Sequence, residues 1–147
     1  MYEATSREFR GFREVTVTDA VGTKTIHTFG QTDHNKGKLL EKQVKDSSGN
    51  LFSKEVTTWD DVHPWGTNVD VHFVFVSQVD AYIYDGDSSY KQTRQTFTYD
   101  DYGNLVSTTE EGDTSVSTDS RKTVNTYVYA MTAPFITTCS SPLTFLT

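Results

Sequence analysis

The chain has 147 residues, a formal net charge of -7, and 35% hydrophobic residues. That length allows one domain with a core, while the acidic balance argues against a nucleic-acid binder and against attraction to an anionic membrane. Cys139 is the only cysteine, which excludes an intrachain disulfide and a zinc site built on paired cysteines.

No charged-then-apolar leader pattern opens the chain. No run of about 18 apolar residues is present to span a bilayer. Secretion is therefore expected only through a larger parent or another route. Thr, Ser, Val and aromatic residues are plentiful, a mix that favours strands. No stretch sustains a helical apolar period. The expected class is all-β, made of successive antiparallel hairpins in an extended sheet.

Residues 1–10 are polar and charged and read as an entry segment. Phe9 and Phe12 bracket Gly11 and read as aromatics anchoring the start of a strand. Glu14 to Asp19 alternates, with Val15 and Val17 on one face. After Asp19-Ala20-Val21-Gly22 the chain returns through Lys24 to Phe29, a first hairpin. Gly30 to Gly37 reads as a loop.

Lys38–Asp46 and Leu51–Trp59 form a second expected hairpin around Asp46-Ser47-Ser48-Gly49-Asn50-Leu51. A three-residue loop would set Lys42 against Lys54 and Glu41 against Glu55. Like charges in opposite positions are unfavourable. A one-residue slip puts Lys42 against Glu55 and is preferred. Val69 to Val76 is the strongest strand signal, apolar on both faces in its second half, so it reads as covered from both sides. Val79 to Tyr84 either continues it or pairs with it.

The central hairpin runs Thr93–Tyr99, then Asp100-Asp101-Tyr102-Gly103-Asn104, then Leu105–Thr109. An Asp opening a turn can accept a bond from a backbone N–H two residues on. Gly103 can take φ > 0, and Asn104 tolerates it better than most residues. Tyr99 and Leu105 can pack across the strands. The structural turn residues are therefore Asp19, Gly22, Asp46, Gly49, Asn50, Leu51, Tyr99, Asp100, Gly103, Asn104 and Leu105. Asp46 follows Asp19 by 27 residues and Asp100 follows Asp46 by 54, which suggests a hairpin-sized internal repeat. Glu110 to Ser120 reads as an acidic loop and Thr123 to Tyr129 as a last strand. Residues 130–147 carry no charged side chain and read as a divergent tail.

Tyr99-Asp100-x-x-Gly103-Asn104-Leu105 resembles the YD repeat of RHS proteins. Arg7-Glu8-Phe9-Arg10-Gly11-Phe12, the strand after it, the Asp19 turn and Lys24–Phe29 together resemble the stretch opening the RHS-like region of Tc-type insecticidal toxin complex B components. The resemblance covers roughly residues 7 to 129. Arg13 stands where that pattern has a glycine, and Lys45 replaces the leading Tyr at the second turn. The resemblance implies a segment, residues 1–129, of an RHS-type β shell that encloses a toxic polypeptide. The family shell is far longer, so the chain reads as a fragment of it. The resemblance also implies a virulence role in a secreted toxin-type parent. The implied partners are the rest of the shell or other toxin-complex subunits, together with carbohydrate contact.

The remaining chemistry is sparse. His27, His34, His63 and His72 are scattered, with no metal-ligand spacing, so no metal is expected. Asp85-x-Asp87-x-Ser89 alternates oxygen side chains but lacks the downstream Glu of a calcium loop. Asp60/Asp61 and Glu110/Glu111 are adjacent pairs that point to opposite faces of a strand, not acid/base couples. No nucleophile elbow or phosphate-binding glycine loop is present. The chain is therefore expected to be no enzyme and to need no cofactor. Trp59, Trp65, Tyr82, Tyr84, Tyr90, Tyr99 and Tyr102 offer a sugar-stacking surface. The alternative reading is thus a stand-alone β-sandwich carbohydrate-binding module.

Overall fold

A computed structural model describes residues 2–3, 8–63, 71–85 and 88–128. Two short strands, β1 (Tyr2–Glu3) and β2 (Glu8–Phe9), pair with each other at the entry. The rest is one antiparallel sheet of eight strands: β3 (Glu14–Thr18), β4 (Lys24–Phe29), β5 (Leu39–Lys45), β6 (Leu51–Val62), β7 (Phe73–Tyr84), β8 (Tyr90–Tyr99), β9 (Leu105–Glu111) and β10 (Ser120–Val124). The spatial order is β10-β9-β8-β7-β6-β5-β4-β3, so every strand lies beside its sequence neighbours. The sheet is an open meander edged by β3 and β10. Among the described residues there is no helix, and so none long and apolar enough to cross a membrane. The all-β expectation of successive hairpins holds.

The sheet is a single layer. Its strands touch only their hydrogen-bonded neighbours. One row of directly opposed residues crosses all eight strands: Glu14, Thr28, Glu41, Val56, Asp80, Arg94, Glu111 and Ser120. Opposed residues share a face, so that face is polar along its middle row. Among the described residues no hydrophobic side chain is buried, and the buried polar side chains are Asp80 and Ser107, each at 6% exposure. The outer strands expose their apolar residues: Val15 and Val17 on β3 and Val124 on β10 all lie open.

β7 therefore departs from the expectation of two-sided cover. All of it but Ile83 is at least half-buried, because the long strands β6 and β8 flank it in the plane; among the described residues no other strand contacts it. It starts at Phe73 and runs unbroken to Tyr84, so Val79–Tyr84 continues the strand. Val69 and Asp70 lie outside the described residues.

The second hairpin takes the slipped register, with Lys42 opposite Glu55 and Gln43 opposite Lys54. A β-bulge makes the slip. Val44 pairs with Ser53 and Lys45 with Leu51, leaving Phe52 as the extra residue. The central hairpin does the same, pairing Thr98 with Ser107 and Tyr99 with Leu105 around Val106. The first hairpin pairs Val17 with Thr25 and Thr18 with Lys24 in unbroken register. The bulge thus accompanies the two turns that end in Asn-Leu.

Three further expectations change. The Asp19 and Asp46 turns sit on one rim of the sheet, where a Cβ on Gly22 would lie 3.0 Å from Ser47 Cβ. Three strands, β6 to β8, separate the Asp46 and Asp100 turns, so the Asp100 turn falls on the opposite rim. A repeat of whole hairpins would return each turn to the same rim, so the 27-residue spacing is not a structural repeat. Among the described residues the last strand is Ser120–Val124, not the expected Thr123–Tyr129, whose Tyr129 lies outside the described residues. It starts early because Arg121 falls opposite Glu110 and donates to it from Nε at 2.7 Å. Phe9 and Phe12 do not anchor a strand in a core. They are both exposed and pack edge-to-face on each other at 5.8 Å. Residues 130–147, the expected tail, lie outside the described residues.

Gly103 has φ of 83°, and a Cβ there would meet the Phe73 ring at 3.1 Å. Gly103→Val forces a β-branched residue into the left-handed region and against that ring. It should lower stability by roughly 1–3 kcal/mol. Thermal and urea melts of the variant beside the parent measure it, and coincident curves would refute the turn geometry.

Candidate functional site

The three turns share one construction. In each, the Asp N–H donates to the carbonyl four residues on, at 3.0 Å for Asp19, 2.9 Å for Asp46 and 3.0 Å for Asp100. The glycine N–H returns a bond to the Asp carbonyl, at 3.1 Å from Gly22, 3.1 Å from Gly49 and 3.0 Å from Gly103. The Asp carboxylate fills the centre. Asp19 Oδ1 accepts from the N–H groups of Val21 at 3.0 Å and Thr23 at 2.8 Å. Asp100 Oδ1 accepts from Tyr102 and Asn104, each at 2.9 Å. Asn50 donates to Asp46 from its backbone and from its amide Nδ2, both at 2.8 Å. Asn104 Nδ2 reaches Asp100 Oδ2 at 3.0 Å. The asparagines therefore latch the carboxylate, a role beyond tolerance of an unusual φ. Backbone donation from Thr23 holds the Asp19 carboxyl below its ordinary value, and the Asn50 side chain does the same for Asp46.

Leu51 closes the second hairpin opposite Lys45, and Leu105 closes the central one opposite Tyr99. The Leu105 carbonyl also accepts from Asn125 Nδ2 at 2.9 Å and Tyr127 Oη at 3.0 Å, tying down the chain beyond β10. The Tyr99 ring packs against Phe75 at 4.7 Å and Phe73 at 5.8 Å, and burial raises its phenol pKa.

The buried charged group among the described residues is Asp80, on β7. Its carboxylate accepts from Gln78 Nε2 at 2.6 Å, Gln92 Nε2 at 2.8 Å and Arg94 Nε at 2.7 Å. Burial alone pushes this carboxyl up. The bonds from Arg94, Gln78 and Gln92 outweigh it and hold the group below its ordinary value. The same bond to Asp80 raises Arg94. Sequence reading missed this hub, because its members are two or more residues apart on two strands and only the register brings them together.

The aromatics do not form one surface. Tyr82, Tyr84 and Tyr90 cluster at one rim, with centroids 5.2–5.6 Å apart. Tyr99 sits with Phe73 and Phe75 toward the other. Trp59 lies under Lys38 Nζ at 4.6 Å, and Tyr102 is exposed. Trp65, like Asp87 of the calcium-like loop, lies outside the described residues.

Histidines scattered in sequence do gather. The loop from Gly30 to Lys38 folds on itself: Asn35 Oδ1 accepts from the Thr32 N–H at 3.0 Å and Thr32 Oγ1 at 2.7 Å. Trp59 Nε1 donates to the Leu39 carbonyl at 2.9 Å and holds the foot of the loop to β6. Asp61 follows on the same face of β6. His72 precedes β7, and Asp61 Oδ2 accepts from its Nδ1 at 2.8 Å. His34 Nδ1 lies 3.8 Å from the same oxygen. The His34 and His72 rings stack at 3.7 Å, and His63 meets His72 edge-on at 4.2 Å. Three of the four histidines thus share one corner. His27 stays on β4, stacked on Phe29. The adjacent carboxylates separate as expected: Glu110 pairs with Arg121 and Glu111 lies opposite Arg94.

Comparison with protein-family models, curated proteins and solved structures finds no match.

The depressed carboxyls set the acid limit of the fold. Asp19, Asp46, Asp80 and Asp113 are lowered when folded, so their stabilising effect is present above the ordinary value of 3.8 and is lost as pH falls through the lower folded values. The melting temperature should hold from neutral pH to about 5 and fall progressively below about 4. Asp80→Ala leaves Arg94, Gln78 and Gln92 without their shared acceptor. With Arg94 36% exposed, the expected loss is about 2 kcal/mol, read by urea melts at neutral pH.

Proposed function

We propose that this chain is a wall segment of an RHS/YD-repeat shell, acting by containment of a polypeptide and without catalysis. The observation that carries the reading is the single-layer sheet with no buried apolar side chain among the described residues. A meander of this kind becomes stable when neighbouring hairpins and a second surface cover it. A curved shell supplies both. The Tyr99-to-Leu105 turn adds the motif on which the resemblance rests. Its work here is architectural: Asp100 and Asn104 lock the corner, and the bulge after it turns the strand.

The β-sandwich alternative needs a second sheet facing the first. Among the described residues the other sheet is the two-residue pair β1–β2. Among the described residues the aromatics are spread over both rims and share no sugar platform.

Among the described residues both edge strands, β3 and β10, have a partner on one side only, and an unpaired edge templates pairing with another chain. The charge of -7 opposes association, but salt near physiological strength screens it beyond about 8 Å. The isolated protein should therefore self-associate. Light scattering across a concentration series should show mass rising with concentration, together with strong binding of a hydrophobic dye. A protein that stays monomeric and unfolds in one cooperative transition would overturn the shell reading.

A further inference from the structure

We propose that His34, Asp61 and His72 bind one divalent transition-metal ion of the zinc class, which pins the β4–β5 loop to the corner between β6 and β7. Ligand atoms from the three residues lie within 4.8 Å of one another. Ligands around a tetrahedral ion with bonds near 2.0–2.1 Å are about 3.3 Å apart. The Asp61 oxygen stands 2.8 Å from His72 Nδ1 and 3.8 Å from His34 Nδ1, on either side of that value. The two rings stack with 25° between their planes, so binding turns them until both in-plane lone pairs and the Asp61 oxygen converge on one ion.

The donor set selects the metal. Two imidazoles and one carboxylate suit zinc, nickel and copper ahead of calcium or magnesium, which prefer oxygen alone. Three protein donors leave the fourth position to water. The site is reachable, because the His34 side chain is 45% exposed while His72 is 19% exposed and more firmly held. His63 packs its ring edge on His72 and supports that hold.

One carboxylate faces both rings, which stack at 3.7 Å. A metal takes both rings as neutral donors and keeps the carboxylate satisfied. Nearby cations are otherwise engaged: Lys36 bonds Glu8 and Lys38 sits over Trp59.

The fold has a use for such a pin. The chain has one cysteine and, among the described residues, no buried apolar core. Scaffolds short of core are commonly stabilised by a disulfide or a metal. Here the donors come from three separate stretches of one rim, so the ion closes the loops that hydrogen bonding along the ladder leaves open. The proposal stands independently of the shell reading.

The test uses the full chain without a histidine tag, stripped with chelator and titrated calorimetrically with zinc chloride. One ion per chain is expected, with a melting temperature that climbs as zinc is added in excess. Cobalt should give the visible bands of a tetrahedral complex. His34→Ala, Asp61→Asn and His72→Ala should each weaken binding by at least about tenfold. His27→Ala, remote on β4, should leave it unchanged, and circular dichroism of each variant should match the parent. No saturable zinc binding at millimolar concentration would overturn the proposal. So would unchanged affinity in folded His34→Ala and His72→Ala variants, or an equal loss in His27→Ala.

Discussion

The backbone ladder of the meander is the constraint on which everything else depends. In most domains a sheet is held by the apolar face it buries against a second layer. Here, among the described residues, no second layer lies on the sheet, and its strands contact only their ladder neighbours. Stability then rests on pairing within the plane and on cross-strand side chains. The longest strands, β6 and β7 with 12 residues each, sit at the middle, where both edges of each are paired. The five-residue strands β3 and β10 lie at the ends of the order, where among the described residues one side has no strand partner. Length follows the number of partners.

A polar ladder sheet needs its register specified by something other than a core. Two devices do that here. The Asp-centred turns close three of the seven hairpins at a defined pair, and after two of them the bulges at Phe52 and Val106 shift the strand by one residue. Opposite charges then agree with the shifted pairing: Lys42 faces Glu55, Asp80 faces Arg94, and Arg121 faces Glu110. The Asp80 hub carries this furthest. A carboxylate in the middle of the sheet is tolerable because three donors converge on it, and the same convergence makes any other register costly.

The wall-segment proposal and the metal proposal answer the same shortage in different ways. A shell would cover the open faces and edges. A metal at His34, Asp61 and His72 would close one corner without needing any cover. The residues involved do not overlap with the turn aspartates, so the two can operate together.

Much of the fold was readable from local chemistry. Alternation around Val15 and Val17 marked β3, and Asp-x-x-Gly placed three turns at the right residues, because the carboxylate bonds and the glycine φ are made within five consecutive residues. Even the register of β5 on β6 followed from the charges of Lys42, Lys54 and Glu55. What the sequence could not decide was anything that depends on which strands stand side by side. Apolar residues on both faces of β7 read as cover from two layers, yet their shielding comes from β6 and β8 in the plane. The spacing of Asp19, Asp46 and Asp100 read as a repeat, yet an odd number of strands sends the third turn to the other rim. His34, Asp61 and His72 are separated by up to 38 positions in the chain, and the long hairpin β6–β7 with the folded β4–β5 loop puts them at one corner. The sequence by itself determined the turns, the strand class and the charge-matched register, since those bonds are short-range. The tertiary structure alone decided the single layer, the Asp80 hub and the histidine corner, because each is made by hydrogen-bond pairing between strands that local periodicity does not encode.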